Sequence, residues 1–201
     1  MKVLLHYVGK ATYNEELFKK EARRYGVNRA LPKALALKLK PGDIVLLAFK
    51  VKEGAKVIGY MVVSGYTLPN DIAKKVGEDI VDWQEGPAVI EHRGCGTIII
   101  SGKGYVKDWD ALVERLKSIE ENFKIFVAGK FYELQPFILN KKFTMSGIWI
   151  DVEKELPKER VEPLLRVFDE KRYQREPYRT DEEKRKLLEK YRNKNLLEWL
   201  K

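Results

Sequence analysis

Apolar positions fall into short, strand-length runs up to about residue 151 and take helical spacing beyond it. Lys2–Val8 sets Val3, Leu5 and Tyr7 on one side and Leu4, His6 and Val8 on the other, which predicts a first strand. Thr12, with Glu15 three residues later, makes a capping box for a helix through ELFKKEARRY, and Gly26 is placed to close it. Leu17, Phe18, Ala22 and Tyr25 form the expected buried face of that helix, while Lys19, Lys20, Arg23 and Arg24 fall largely on the other side. The next segment, VNRALPKALALKLKPGD, reads as a basic connector with two prolines.

Asp43–Lys50 and Val57–Ser64 are almost continuously apolar, the pattern of strands covered on both faces. Pro69-Asn70-Asp71 opens a short helix. Gly86–His92 and Thr97–Ser101 read as strands around Arg93-Gly94-Cys95-Gly96, whose glycines permit a tight reversal or a bulge. Asp108 caps a helix with Leu112, Leu116 and Ile119 on one face. Lys124–Ala128 is a strand, and Phe131–Asp151 holds at least one more, with Ile148 and Ile150 opposite Trp149. Pro157 begins the helix PKERVEPLLRVFDEKR, and a capping box from Thr180 to Glu183 begins another that runs toward Trp199. Hairpins outnumber β-α alternations. The pattern predicts an α+β domain over residues 1–151, a small mixed β-barrel or half-barrel with flanking helices, and a basic helical C-terminal extension over 152–201.

Charge adds a partner class. The chain has a formal net charge of +9, and 34% of its residues are charged. Residues 1–104 hold 17 Lys/Arg against 11 Asp/Glu, residues 105–169 hold 11 against 12, and residues 170–201 hold 11 against 7. A basic first half and a basic tail around a neutral middle point to a polyanion, RNA or DNA. The wealth of charged residues also fits a thermophile surface. One cysteine, Cys95, excludes an internal disulfide framework. The absence of a long apolar run or a cleavable leader pattern argues against a membrane and for a cytoplasmic protein.

The run LKPGDIVLLAFK, followed by VIGYMVVSGY, resembles the central strands of the PUA-like superfamily, which includes PUA, ASCH and EVE domains. The matching residues are Gly42, Asp43 and Gly59. Their physics agrees: Gly42 frees the turn's φ, Asp43 can bond the turn backbone, and Gly59 permits close packing or a bulge. YNEELFKKEARRYGVNRALP and RGCG are similar to segments of uncharacterised archaeal and phage proteins, which imply no activity. The resemblance implies recognition of RNA or of single-stranded or modified nucleic acid in a barrel cleft with a basic rim. The chain has no clear match to the Gly-x-Lys-x-x-Glu-x-Arg pattern of ASCH domains.

The candidate phosphate contacts are Arg23, Arg24, Arg29, Lys33, Lys38 and Lys40, with Arg93 in the glycine turn; the alternative is a solvated helix and connector. Asn28 is a candidate base reader, and Trp83 is either a stacking platform or a lid over the core edge. His92 and Cys95 are the one hint of nucleophilic chemistry, although a lone cysteine is more often a packing residue. Two histidines and one cysteine cannot supply a typical metal site unless carboxylates join them, and no cofactor motif is present, so neither metal nor cofactor is expected. Arg172, Tyr173, Arg175, Tyr178 and Arg179 interleave charge with aromatics in the tail, as a second contact or a packed linker. The expected function is nucleic-acid binding without catalysis. The alternatives are an enzyme on modified nucleosides or nucleic acid in the same cleft, and a partner-binding scaffold.

Overall fold

The computed structural model describes residues 2–10, 14–77, 79–80, 97–100, 106, 108–143 and 147–164. Their elements run β1 (Lys2–Lys10), α1 (Glu15–Tyr25), β2 (Val27–Pro32), α2 (Lys33–Ala36), β3 (Ile44–Val51), β4 (Gly54–Leu68), α3 (Asn70–Val76), β5 (Thr97–Ile100), α4 (Trp109–Ser118), β6 (Lys124–Leu139), β7 (Ile148–Asp151) and α5 (Val152–Glu155). Residues 158–164 are again helical.

The protein is α+β, built on a mixed sheet. Six strands lie in the order β2-β6-β4-β3-β1-β7, and β5 pairs with the far end of β4. Every described pairing is antiparallel except β1 with β3. Among the described residues no ladder joins β2 to β7, so the backbone pairings leave the sheet open rather than closed as a barrel.

β3 is buried from Ile44 to Phe49, as its unbroken apolar run requires. Leu4, Val8, Val45, Leu47, Phe49, Met61 and Tyr66 belong to one core, with Phe18 and Ala22 of α1 and Leu112 and Leu116 of α4. Val3, Leu5, Ile44, Leu46, Tyr60 and Val62 belong to a second core, which Val152, Leu156 and Leu164 share. The residues just past Asp151 are therefore packed on the sheet's outer face.

The Pro41-Gly42-Asp43 turn forms as its residues predict. Gly42 has φ 89°, and the Asp43 carboxylate accepts from Lys40 N at 2.7 Å. Gly42 N donates to Val63 O, and Val63 N to Asp43 O, each at 2.8 Å, which ties the turn to β4.

β4 is bulged twice. Leu47 pairs with Gly59 but Ala48 with Val57, leaving Ile58 as an extra residue. Val63 pairs with Gly129 but Gly65 with Ala128, leaving Ser64 as another. At the first bulge β6 passes so close that a Cβ on Gly59 would lie 2.5 Å from the Phe131 ring and from Tyr132 O.

Three local expectations are corrected. The helix α1 is capped by Asn14, whose side chain accepts from Leu17 N; Thr12 lies outside the described residues. Lys19 is 5% exposed, whereas Leu17 is 46% exposed. Lys19 sits between Glu15 at 2.9 Å and Glu133 at 3.2 Å, so three carboxylate-linked contacts, including Glu16 at 3.8 Å, allow its charge to be buried. The connector after Gly26 is the strand β2 followed by α2, because Val27 and Leu31 alternate inward and tertiary pairing with β6 overrides its basic composition. The expected strand Gly86–His92, the cap at Thr180 and the last helix toward Trp199 lie outside the described residues.

Gly59→Ala is expected to cost about 1–3 kcal/mol through overpacking. The readout is a lower urea midpoint at unchanged slope, and an unchanged midpoint would show that β4 and β6 can part without cost.

Candidate nucleic-acid interface

In a flat sheet β1 and β2 would lie about 19 Å apart, four strand spacings. Arg29 spans them. Its Nε donates to His6 Nε2 at 3.1 Å, and its Nη2 donates to Val8 O at 3.2 Å. The sheet must therefore curl until β2 approaches β1. His6 is 3% exposed and accepts through Nε2, which requires that nitrogen to be unprotonated. Arg29 is thus committed to holding two strands together.

The other expected contacts scatter. Asn28, the neighbour of Arg29 on β2, faces the opposite side and donates from Nδ2 to Thr67 Oγ1 at 3.5 Å; its Oδ1 is buried and has no hydrogen-bond partner among the described residues. Arg23 pairs with Glu133 at 2.8 Å. Lys33 donates to Ile119 O and lies 4.9 Å from the Phe123 ring centroid. Lys40 pairs with Asp110 at 2.7 Å. Arg24 and Lys38 are exposed. Four of the six expected cations are thus held by internal partners, near three different elements, and do not line one rim. Trp83, Arg93, His92, Cys95 and the aromatic-basic run 171–179 lie outside the described residues.

A different basic surface emerges on β6. Ile125, Val127 and Phe131 point into the inner core, so Lys124, Phe126, Ala128, Lys130 and Tyr132 take the opposite face. Lys124 and Lys130 are exposed, Phe126 is 40% exposed, and Tyr132 is half-buried. Tyr132 stacks on Tyr60 with centroids 5.1 Å apart and planes at 10°, while Lys130 Nζ lies 5.5 Å from the Tyr132 centroid. Across the ladders this strip meets Asn28, Ala30 and Pro32 of β2 and Tyr60, Val62, Gly65 and Thr67 of β4. None of these is a carboxylate. Among the described residues neither Lys124 nor Lys130 has an ion-pair partner.

Reading Lys124–Ala128 as a strand alone does not reveal this strip. The signal was present: in KIFVAGKFY, a period of two puts both lysines and both outward rings on one side.

Buried charge elsewhere is structural. Burial pushes Glu15 up, but hydrogen bonds from Lys56 and Lys19 outweigh it and hold the carboxyl below its ordinary value. Glu155 is also held down, by hydrogen bonds from Lys141 and from Asp151 N. Burial pulls Lys19 down, but Glu15 and Glu133 hold it above its ordinary value. Among the described residues no group of three or more His, Cys, Asp or Glu is placed to hold a metal, and no helix is long and apolar enough to cross a membrane.

No protein-family model matches the chain, and searches of curated proteins and of solved structures return no match.

Two measurements test these assignments. Arg29→Met removes both hydrogen bonds of the strand bridge and is expected to cost about 1.5–3 kcal/mol, read as a lower urea midpoint; a midpoint equal to the parent's would mean that the bridge carries no stability. The second concerns acid. A carboxylate whose pKa is depressed by folding stabilises the protein above its unfolded pKa, and that contribution is lost as pH falls through the folded value. Stability should therefore decline below about pH 4.3, the unfolded glutamate value. Glu15→Gln should be less stable than the parent at pH 7 and should flatten the acid decline; an identical decline in the variant would refute the Glu15 assignment.

Proposed function

We propose that the protein binds single-stranded nucleic acid on the outward face of β6. The observation that carries this reading is the alternation of lysines that have no ion-pair partner among the described residues with outward rings along Lys124, Phe126, Lys130 and Tyr132. Rings on a sheet surface stack with bases whose faces are free, and lysines beside them neutralise the phosphates. A duplex hides its base faces, so the surface favours single strands. The net charge of +9 supplies long-range attraction.

The same reading keeps a PUA-like architecture as a proposal. The Arg29 bridge supports it, since a sheet curled until its first and fifth strands meet through one side chain is close to a barrel in shape. The binding surface then lies outside the curl, not in a cleft within it.

Fluorescence anisotropy with a labelled single-stranded oligonucleotide at low salt tests the function, with a duplex as control. Micromolar binding that weakens steeply with salt is expected. The variant Lys124→Ala with Lys130→Ala should lower the slope of log K against log salt by about 1.4, about 0.7 for each single-strand phosphate contact. Phe126→Ala should weaken binding about tenfold, within the range known for loss of one stacked base. Failure to bind any single strand, or full binding by the lysine variant, would exclude this surface.

A further inference from the structure

The strip has an internal period. Lys124-Ile125-Phe126 and Lys130-Phe131-Tyr132 are two copies of the same unit, an outward lysine followed two residues later by an outward ring. Within each unit the two side chains leave the backbone about 7 Å apart, two strand residues. That spacing suits a phosphate and the base it carries. The units are six residues apart, so equivalent positions lie about 20 Å from one another along β6.

Between them the surface changes character. Ala128 is buried and offers no ring, and its carbonyl already accepts from Ser64 Oγ at 3.1 Å. The middle of the strip therefore gives a nucleotide little to hold, while each end gives it a ring and a cation. The two rings also differ in their support. Phe126 stands exposed, whereas Tyr132 is already stacked on the buried Tyr60, which fixes its plane before any base arrives.

We infer that β6 carries two separate nucleotide subsites, one at Lys124/Phe126 and one at Lys130/Tyr132, which a single strand must bridge to bind tightly. This rests on the nucleic-acid reading above and gives it a length requirement. About 20 Å corresponds to about six steps of a stacked strand at 3.4 Å per nucleotide, and to fewer when the strand is extended. A trinucleotide fills one subsite. An octanucleotide reaches both, and the second contact becomes intramolecular, raising affinity through effective concentration and not through a new kind of contact.

The test is a length series of single-stranded homopolymers, from three to eight nucleotides, read by anisotropy competition at fixed low salt. The parent protein should gain more than tenfold in affinity between trinucleotide and octanucleotide. Lys124→Ala with Phe126→Ala should bind the trinucleotide within about twofold of the parent, because one subsite remains, yet lose the length step. Lys130→Ala with Tyr132→Leu should behave alike; leucine keeps an apolar contact on Tyr60, and circular dichroism confirms that the variant is folded. Octanucleotide binding with no length step in the parent, or a step that persists in both variants, overturns the two-subsite arrangement and leaves the binding surface standing. Absence of octanucleotide binding by the parent overturns the surface as well.

Discussion

A strand pair that is apolar on both faces must be covered twice, and the whole architecture answers to that requirement. β3 presents Val45, Leu47 and Phe49 to one side and Ile44, Leu46 and Ala48 to the other, and β4 presents Ile58 and Met61 to the first and Val57, Tyr60 and Val62 to the second. The inner side is closed by the curl of the sheet together with α1, α3 and α4. The outer side is closed by Val152, Leu156 and Leu164. At about 25 cal/mol per Å² of apolar surface, leaving either face wet would forfeit several fully buried side chains, each worth about 1.5–3 kcal/mol. That loss exceeds anything the surface ion pairs could return, since exposed pairs contribute about 0–1 kcal/mol each. The same covering leaves Phe126 and its lysine neighbours exposed at the β2–β6 end.

Polar groups enter this apolar frame only where they connect elements. Arg29 joins β2 to β1, the Tyr66 hydroxyl donates to Leu39 O at 2.6 Å with Ala36 O also within reach at 3.0 Å, and Lys19 joins α1 to β6 through Glu133. Burial pushes the Tyr66 phenol far above its ordinary value, so it remains a donor at any ordinary pH. A buried charge stabilises little in net terms even when paired, but removal of one partner is costly, about 3–5 kcal/mol. These contacts fix where the elements sit more than they add to stability. They also explain why the basic residues nearest the curl are poor candidates for phosphate binding: their charges are spent on internal partners.

Much of the frame could be read from the chain. The turn at Gly42 and Asp43, the Asp108 cap that accepts from Ala111 N, the Pro69 helix start and the two-sided burial of β3 all follow from local chemistry. β2 could not be read that way: in VNRALP the position between the inward Val27 and Leu31 is Arg29, which hides the alternation, and the segment becomes a strand through its ladder with β6. Lys19 differs from its expected place for a related reason: helix periodicity puts it on the polar side, but Glu133 arrives from more than a hundred residues away. The candidate site followed the same division. Density of basic residues along the chain points to residues 23–40, where Arg23, Arg29, Lys33 and Lys40 have internal partners, whereas Lys124 and Lys130, which have no ion-pair partner among the described residues, are spaced apart along a strand. Linear density measures how many charges are near in sequence, and pairing decides which of them remain available.

The two bulges of β4 have a bearing on how such a strand can change over time. Each extra residue reverses which side the following side chains face, so Tyr60 and Val62 point outward although a regular strand continuing from Val57 would turn them inward. The second bulge reverses the order again before Tyr66. The pair thus acts like two compensating frameshifts: the ends of β4 keep the facing they would have in an unbulged strand, and only the segment between is inverted. Losing one bulge alone would turn half of the strand inside out, while gaining or losing both together would leave the flanks undisturbed and exchange only the middle. The stacked Tyr60 and Tyr132 pair stands on that inverted segment, so the sheet can alter its outer aromatic surface without rewriting the core at either end.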